Sequence, residues 1–204
     1  MECGGLTKDG LKKIEAEMKK PDGKRWKCAG CLEKDNEQLK KKVYHLEDRL
    51  NTIEQKSKEN NLIISGIVKQ EIQTTEIVTK IMETMEINVE MGDIKCNRIN
   101  KKEDSPILVQ FPNKTYKMEV FKKRKELKTI RSDQCGLKGE KQIYFNDDLI
   151  LYYQNLFKKA REFKKDNRLK AVYCLSGRIH IIVKEGDTPK IIRKEADLLE
   201  FSLN

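Results

Sequence analysis

Two cysteines two residues apart, Cys28 and Cys31, follow Trp26 in the stretch GKRWKCAGC at 23–31. Thiolates at that spacing can share one tetrahedral zinc, which needs four ligands. Donors are scarce: the chain has six cysteines and two histidines, His45 and His180. Taken alone, the pair admits three readings. It is half of a zinc site whose other ligands lie elsewhere, or it joins a zinc shared between chains of an oligomer. Otherwise the two are reduced thiols at the foot of a helix. The remaining chemistry is thinner. Asp147 and Asp148 are adjacent carboxylates, but they directly follow a strand-like stretch and are expected to cap the next helix. No nucleophile stands beside a base, so the expectation is a protein that is not an enzyme.

Binding by charge is the stronger theme. In 204 residues the net charge is +10, and 37% of residues are charged against 37% hydrophobic. Such a balance suits small domains joined to a solvated helix better than one large globule. Basic residues recur in clusters, which points to an anionic polymer as partner. The start has no apolar targeting segment and no run is long enough to cross a bilayer. Scattered cysteines argue against a disulfide framework. The expected setting is intracellular, without a membrane.

The opening MECGGLTKDGLKKIEAEMKKPDGKRWKCAGC resembles the last third of a plant-homeodomain (PHD) zinc finger. Cys3, Leu6, Thr7, Leu11, Ile14, Trp26, Cys28 and Cys31 carry the resemblance. It implies that Cys3 belongs to one zinc while Cys28 and Cys31 belong to another, with the missing ligands ahead of Met1. Neither site is complete in this chain. In such fingers the metal contributes much of the folding energy, so residues 1–31 are expected to be a loosely ordered remnant, with zinc as cofactor only if the full finger is present.

Next, Leu32, Leu39, Leu46 and Ile53 recur every seven residues, with Asn36, Val43 and Leu50 in the alternate row. This is the a/d pattern of a coiled coil over 32–59. Asp35 with Lys40, Lys42 with Glu47, and Arg49 with Glu54 occupy g and e positions that attract in a parallel pair. Asn36 at an a position favours two strands, while Leu50 and Ile53 allow a trimer. The alternative is one amphipathic helix docked on its own domain.

Residues 60–147 read as alternating elements. NNLIISGI is a buried strand, and 77, 78, 81, 82 and 85 have helical spacing. DIKCNRI and SPILVQF are strands, the latter with Ile107, Val109 and Phe111 on one face. NKTYKMEVFKKRKEL is a helix capped by Asn113, and KQIYFND closes as a strand. The order β-α-β-β-α-β is the ferredoxin-like arrangement, to which the RNA-recognition motif (RRM) belongs. RRM domains stack bases on aromatics of their two central strands, and here those strands carry none. Any nucleic-acid contact must rest on charge, with Arg98, Lys101, Lys102, Lys122, Lys123, Arg124 and Arg131 as candidates. In 148–204, a helix carries Lys158, Arg161 and Lys165 on one side, continued by Arg168. A hairpin turning at Ser176-Gly177 follows, with Arg178 beside the turn. Cys174 and His180, on its opposite arms, are expected to be packing residues. A third short strand and a brief helix end the chain.

The sum is an α+β protein: a coiled-coil helix, an RRM-like domain and a small α+β C-terminal domain. Residues 32–204 resemble the first-open-reading-frame RNA-binding proteins of LINE-type retrotransposons. They are closer still to the few-polyhedra (FP) proteins of baculoviruses and their insect relatives. The match rests on Asn60, Asn61, Leu62, Ile64, Gly66 and Ile67, on CNRI, SPILVQF and IYFND, and on YCLSGRIHIIVKEGD and IIRKEADLLEF. The resemblance implies a self-associating protein of retroelement or viral origin. Its two lobes would clamp single-stranded RNA or DNA and chaperone annealing, with Asn61 and Arg98 among the contacts. The alternative is a protein-interaction adaptor whose finger reads a histone tail or another protein.

Overall fold

The computed structural model describes Thr7, Asp9, Gly10, Lys12, residues 29–166 and residues 168–202, apart from the side chains of Ala29, Cys31, Met91, Phe201 and Ser202. Cys3, Trp26 and Cys28 therefore lie outside the described residues, as does the Cys31 side chain. Two compact units are present, Met1–Leu50 and Asn51–Asn204. The architecture mixes helix and sheet, an α+β class with an N-terminal helix.

That helix, α1, runs unbroken over Ala29–Ser57. After Gly30 it contains neither glycine nor proline, and it is dominated by strong helix formers such as Lys, Leu, Glu and Gln. At 1.5 Å per residue it is about 44 Å long. Its seven-residue stripe stands open along the first unit: Leu32, Leu39, Val43, Leu46 and Leu50 are all more than half exposed.

The second unit holds two hydrophobic clusters. The first is built on β1 (Asn61–Ser65), α2 (Thr74–Thr84), β2 (Lys95–Arg98), β3 (Ile107–Gln110), α3 (Lys114–Leu127) and β4 (Tyr144–Asp147). The sheet order is β2-β3-β1-β4, and every neighbouring pair is antiparallel. Leu62, Ile64, Ile107, Val109 and Phe145 point from the sheet into the core, where Ile77, Val78, Ile81, Met82 and Met85 of the α2 segment meet them. The strands are shorter than the stretches that announce them. Asn113 caps α3, its Oδ1 accepting from Thr115 N at 2.9 Å. Gly66 sits at φ 91°, and a Cβ there would come within 2.0 Å of the Gln142 carbonyl oxygen. Only glycine meets both demands.

The second cluster is built on α4 (Leu151–Lys165), β5 (Ala171–Leu175), β6 (Arg178–Ile182), β7 (Lys190–Ile192) and α5 (Glu195–Ser202), with sheet order β5-β6-β7. Ser176 at φ 53° and Gly177 at φ 71° form a two-residue turn with both central residues left-handed, the geometry that matches strand twist. Ile179, Ile181 and Ile192 face Tyr153, Leu156 and Ala160 of α4.

Asp147 and Asp148 do not cap α4. The residue at that cap is Ile150, with no side-chain cap bond. Both carboxylates instead belong to a polar joint between the clusters. Lys117 Nζ lies 2.7 Å from Asp147 Oδ1, with side chains 3% and 1% exposed, and also donates to the Glu59 carbonyl at 2.8 Å. Asp147 Oδ1 has no further hydrogen bond beyond this ionic contact. Cys174 Sγ donates to Asp147 Oδ2 at 3.4 Å, and burial beside that carboxylate pushes the thiol pKa up. Asp148 accepts from Lys58 at 3.0 Å and Asn61 Nδ2 at 2.8 Å. Gln55 closes the joint by donating to the Asp148 carbonyl at 2.9 Å and accepting from Ile150 N at 3.0 Å. A local cap was the cheaper reading of Asp-Asp before a helix; the long-range ammonium groups outbid it because two buried carboxylates require charge partners.

Candidate functional site

The thirteen candidate anion-binding residues separate into two kinds. The first kind is occupied by the protein itself. Arg98, at the end of β2, donates Nη1 to the carbonyls of Ser105 at 2.7 Å and Ile67 at 3.3 Å, and Nη2 to that of Val68 at 3.2 Å. Partial burial lowers its pKa, opposed by the charge of Asp104. It is a clasp between the strand and two loops. Arg124 donates to the Phe145 carbonyl at 2.8 Å and lies over the Phe121 ring at 5.3 Å. Lys123 pairs with Glu86 at 3.1 Å, and that bond raises its pKa. Arg131 lies between Asp133 at 3.1 Å and Glu140 at 3.3 Å. Asn61 is buried and held by Asp148.

The second kind points outward. Lys101 and Lys102 stand exposed on the β2–β3 loop, and Lys122 on α3. Lys158, Arg161 and Lys165 recur along the α4 face opposite Tyr153, Leu156 and Ala160, and Arg168 follows the helix. Arg161 and Arg168 lie over their own ring neighbours, Phe157 at 5.9 Å and Phe163 at 5.1 Å, which fixes the guanidinium planes without neutralising them. Among the described residues, Lys158, Arg161, Lys165 and Arg178 make no ion pair with a carboxylate. All five basic candidates of the second cluster are thus exposed without a carboxylate partner among the described residues, whereas in the first cluster Lys101, Lys102 and Lys122 are.

A cleft of about 390 Å³ opens there, between the end of α1 and the hairpin. Lys56, Arg178 and Arg193 line it together with Glu59, three cations against one acid. On the first cluster, Arg98 and Lys69 border a shallower hollow at the start of α2. Cys96 beside it is a half-buried thiol, its pKa raised to about 11 by desolvation, too high for a reactive thiolate.

The two sheets differ on their outer faces. On the first, Ile63, Leu108, Asn97 and Asn146 form a row across all four strands, and Tyr144 is the ring on that face. On the second, Tyr173 and His180 are directly opposed across β5 and β6. Their ring centroids are 5.1 Å apart and their planes lie within 4°. His180 therefore packs on the outer face, half-buried against the Tyr173 ring, whereas Cys174 faces inward. The two-residue turn fixes this register, so the signal was present in the sequence. Lys117 was also missed, because nothing in a helix rich in lysine marks the one that is buried.

Among the described residues no group of three or more His, Cys, Asp or Glu could hold a metal. No helix among them is long and apolar enough to cross a membrane. No family model matches the chain, and no curated protein matches it.

Proposed function

We propose that this chain is a self-associating, non-enzymatic protein that binds single-stranded nucleic acid mainly through contacts to phosphate, with the retroelement or viral ancestry that its resemblance implies. The observation that carries the reading is the outward row Lys158, Arg161 and Lys165 on α4, followed by Arg168 and lacking carboxylate partners among the described residues. Cations left unpaired on one surface attract a polyanion and release its counterions. The antiparallel order β2-β3-β1-β4 with two crossing helices supports an RRM-like, ferredoxin-like first lobe. The exposed stripe of α1 supports a parallel coiled coil, dimeric or trimeric, since Leu32, Leu39, Val43, Leu46, Leu50 and Ile53, all more than half exposed in one helix, are costly to leave in water. Gathering several heads on one stalk would raise the affinity of weak ionic contacts. A zinc finger at the N-terminus would add a metal-dependent module.

The test is binding of a labelled single-stranded oligonucleotide at rising salt, beside sedimentation of the protein alone. The expected result is a linear fall of log K with log salt, in a sedimenting oligomer. Changing Lys158 and Arg161 to Ala should reduce the slope by roughly 1 to 2 units. A flat response, or a monomer indifferent to oligonucleotide in dilute buffer, overturns the reading. The adaptor reading has the α1 stripe in its favour, which suits a heterologous helix equally well; it expects stable protein complexes and no salt-dependent strand binding.

A further inference from the structure

The aromatic stacking that an RRM places on its central strands is missing from the first sheet, and the second sheet has its ingredients. Tyr173 and His180 stand as a parallel pair on the outer face, Tyr173 on the edge strand β5 and 36% exposed. His180 is opposed in turn by Ile191 of β7, so the row runs ring, ring, aliphatic across the sheet. Arg178 lies two residues from His180 on the same strand face. Burial, and after it the charge of Arg178, lower the imidazole pKa. Arg178 also lines the cleft with Lys56 and Arg193. No acidic residue occurs on β5, β6 or β7.

We infer that the outer face of the β5-β6-β7 sheet is a base-stacking platform for single-stranded nucleic acid, with a base laid on Tyr173 to extend the Tyr173–His180 stack and Arg178 holding an adjacent phosphate. The inference rests on the nucleic-acid reading above and adds to it where bases, rather than phosphates, are held. Charge selects the occupant. The face carries Arg178 beside its rings and no acid on its strands, a combination that suits a polyanion with flat bases. Stacking of this kind tolerates any base, since every base has a π-face.

The test compares the full-length chain with Tyr173→Leu, Tyr173→Phe and His180→Ala. The probes are a labelled oligothymidine strand of about 16 nucleotides and an abasic strand of equal length, which keeps the phosphates and lacks the bases. Tyr173→Leu keeps apolar bulk, and a thermal melt shows whether it folds. The expected result is that Tyr173→Leu weakens oligothymidine binding about 5- to 150-fold, with the salt slope unchanged. Binding of the abasic strand should hold, and Tyr173→Phe should bind as the parent does. If Tyr173→Leu binds oligothymidine as tightly as the parent, the platform is refuted while phosphate binding stands. Equal weakening on both strands also refutes it, because the ring would then not be reading bases. Failure of the parent to bind either strand would remove the nucleic-acid reading and this inference with it.

Discussion

On the four-stranded sheet the central strands β1 and β3 present Ile63, Leu108 and Gln110 outward, while on the three-stranded sheet β5 and β6 present Tyr173, His180 and Arg178. The nearby cations differ in the same sense. Around the first sheet Arg98, Arg124, Lys123 and Arg131 are bonded to carbonyls or carboxylates of the protein. On the second cluster Lys158, Arg161, Lys165 and Arg178 remain turned outward. A basic residue count treats these regions as equals; the bonding does not. In the first lobe these four cations are structural material, clasping loops and pairing acids, while Lys101, Lys102 and Lys122 stand exposed beside them. In the second lobe the four cations named are all available to an external anion.

The comparison presumes that the two lobes are held together by the joint around Asp147 and Asp148. Breaking that joint should have the largest effect of any single change. Replacing Lys117 with Met leaves a buried Asp147 without its counter-charge, and removal of one partner of a buried pair costs about 3–5 kcal/mol. Urea unfolding should show that loss, together with uncoupled transitions of the two clusters. A loss below about 1 kcal/mol would mean that the joint is wetter than its 3% and 1% exposures indicate.

Next in size is Gly66→Ala, which acts on the first sheet alone. The substitution places a Cβ against the Gln142 carbonyl in a backbone conformation that strains any side chain, and should cost about 2–3 kcal/mol. Strand binding per folded molecule should survive if the outward cations of the second cluster carry it.

A third change separates the two uses of charge. Arg98→Ala removes donors from three carbonyls and should destabilise by about 1–2 kcal/mol, with little change in the salt slope of binding. The Lys158 and Arg161 double substitution should do the reverse, leaving the melting temperature nearly unmoved and flattening the slope. Equal slopes for the two variants would erase the distinction between the lobes.

Much of this was legible in the residues, for identifiable reasons. The α2 face at 77, 78, 81, 82 and 85 repeats with the helical period, and all five side chains are buried. Asn113 signals a cap and makes one. Ser176-Gly177 signals a hairpin, and its two-residue length already pairs 173 with 180. What periodicity could not report was anything depending on partners far along the chain. Arg98 reads as an exposed cation until the loops at 67–68 and 105 are known to close over it. Lys117 is one lysine among many until Asp147 arrives from thirty residues on. Asp147 and Asp148 carry the local mark of a helix cap, and a non-local demand overrode it. The site therefore had to be rebuilt: the sequence named the cations, and tertiary bonding decided which of them face outward.

The smallest expected effect tests whether Arg178 and His180 share one surface. Burial first, and then the charge of Arg178, hold the His180 pKa below its ordinary 6.5. On acidification the unfolded chain takes up that proton before the folded one, so this residue's contribution to stability is present at neutral pH. It declines as pH falls below about 6.5. Removing the neighbouring positive charge with Arg178→Ala should move the imidazole pKa upward, part of the way back, as followed by the ring proton shifts of His180 in an NMR titration. If the His180 curve is unchanged in Arg178→Ala, the two side chains are not electrostatic neighbours. The ring pair would then have to stack a base without the adjacent cation that distinguishes this sheet from the other.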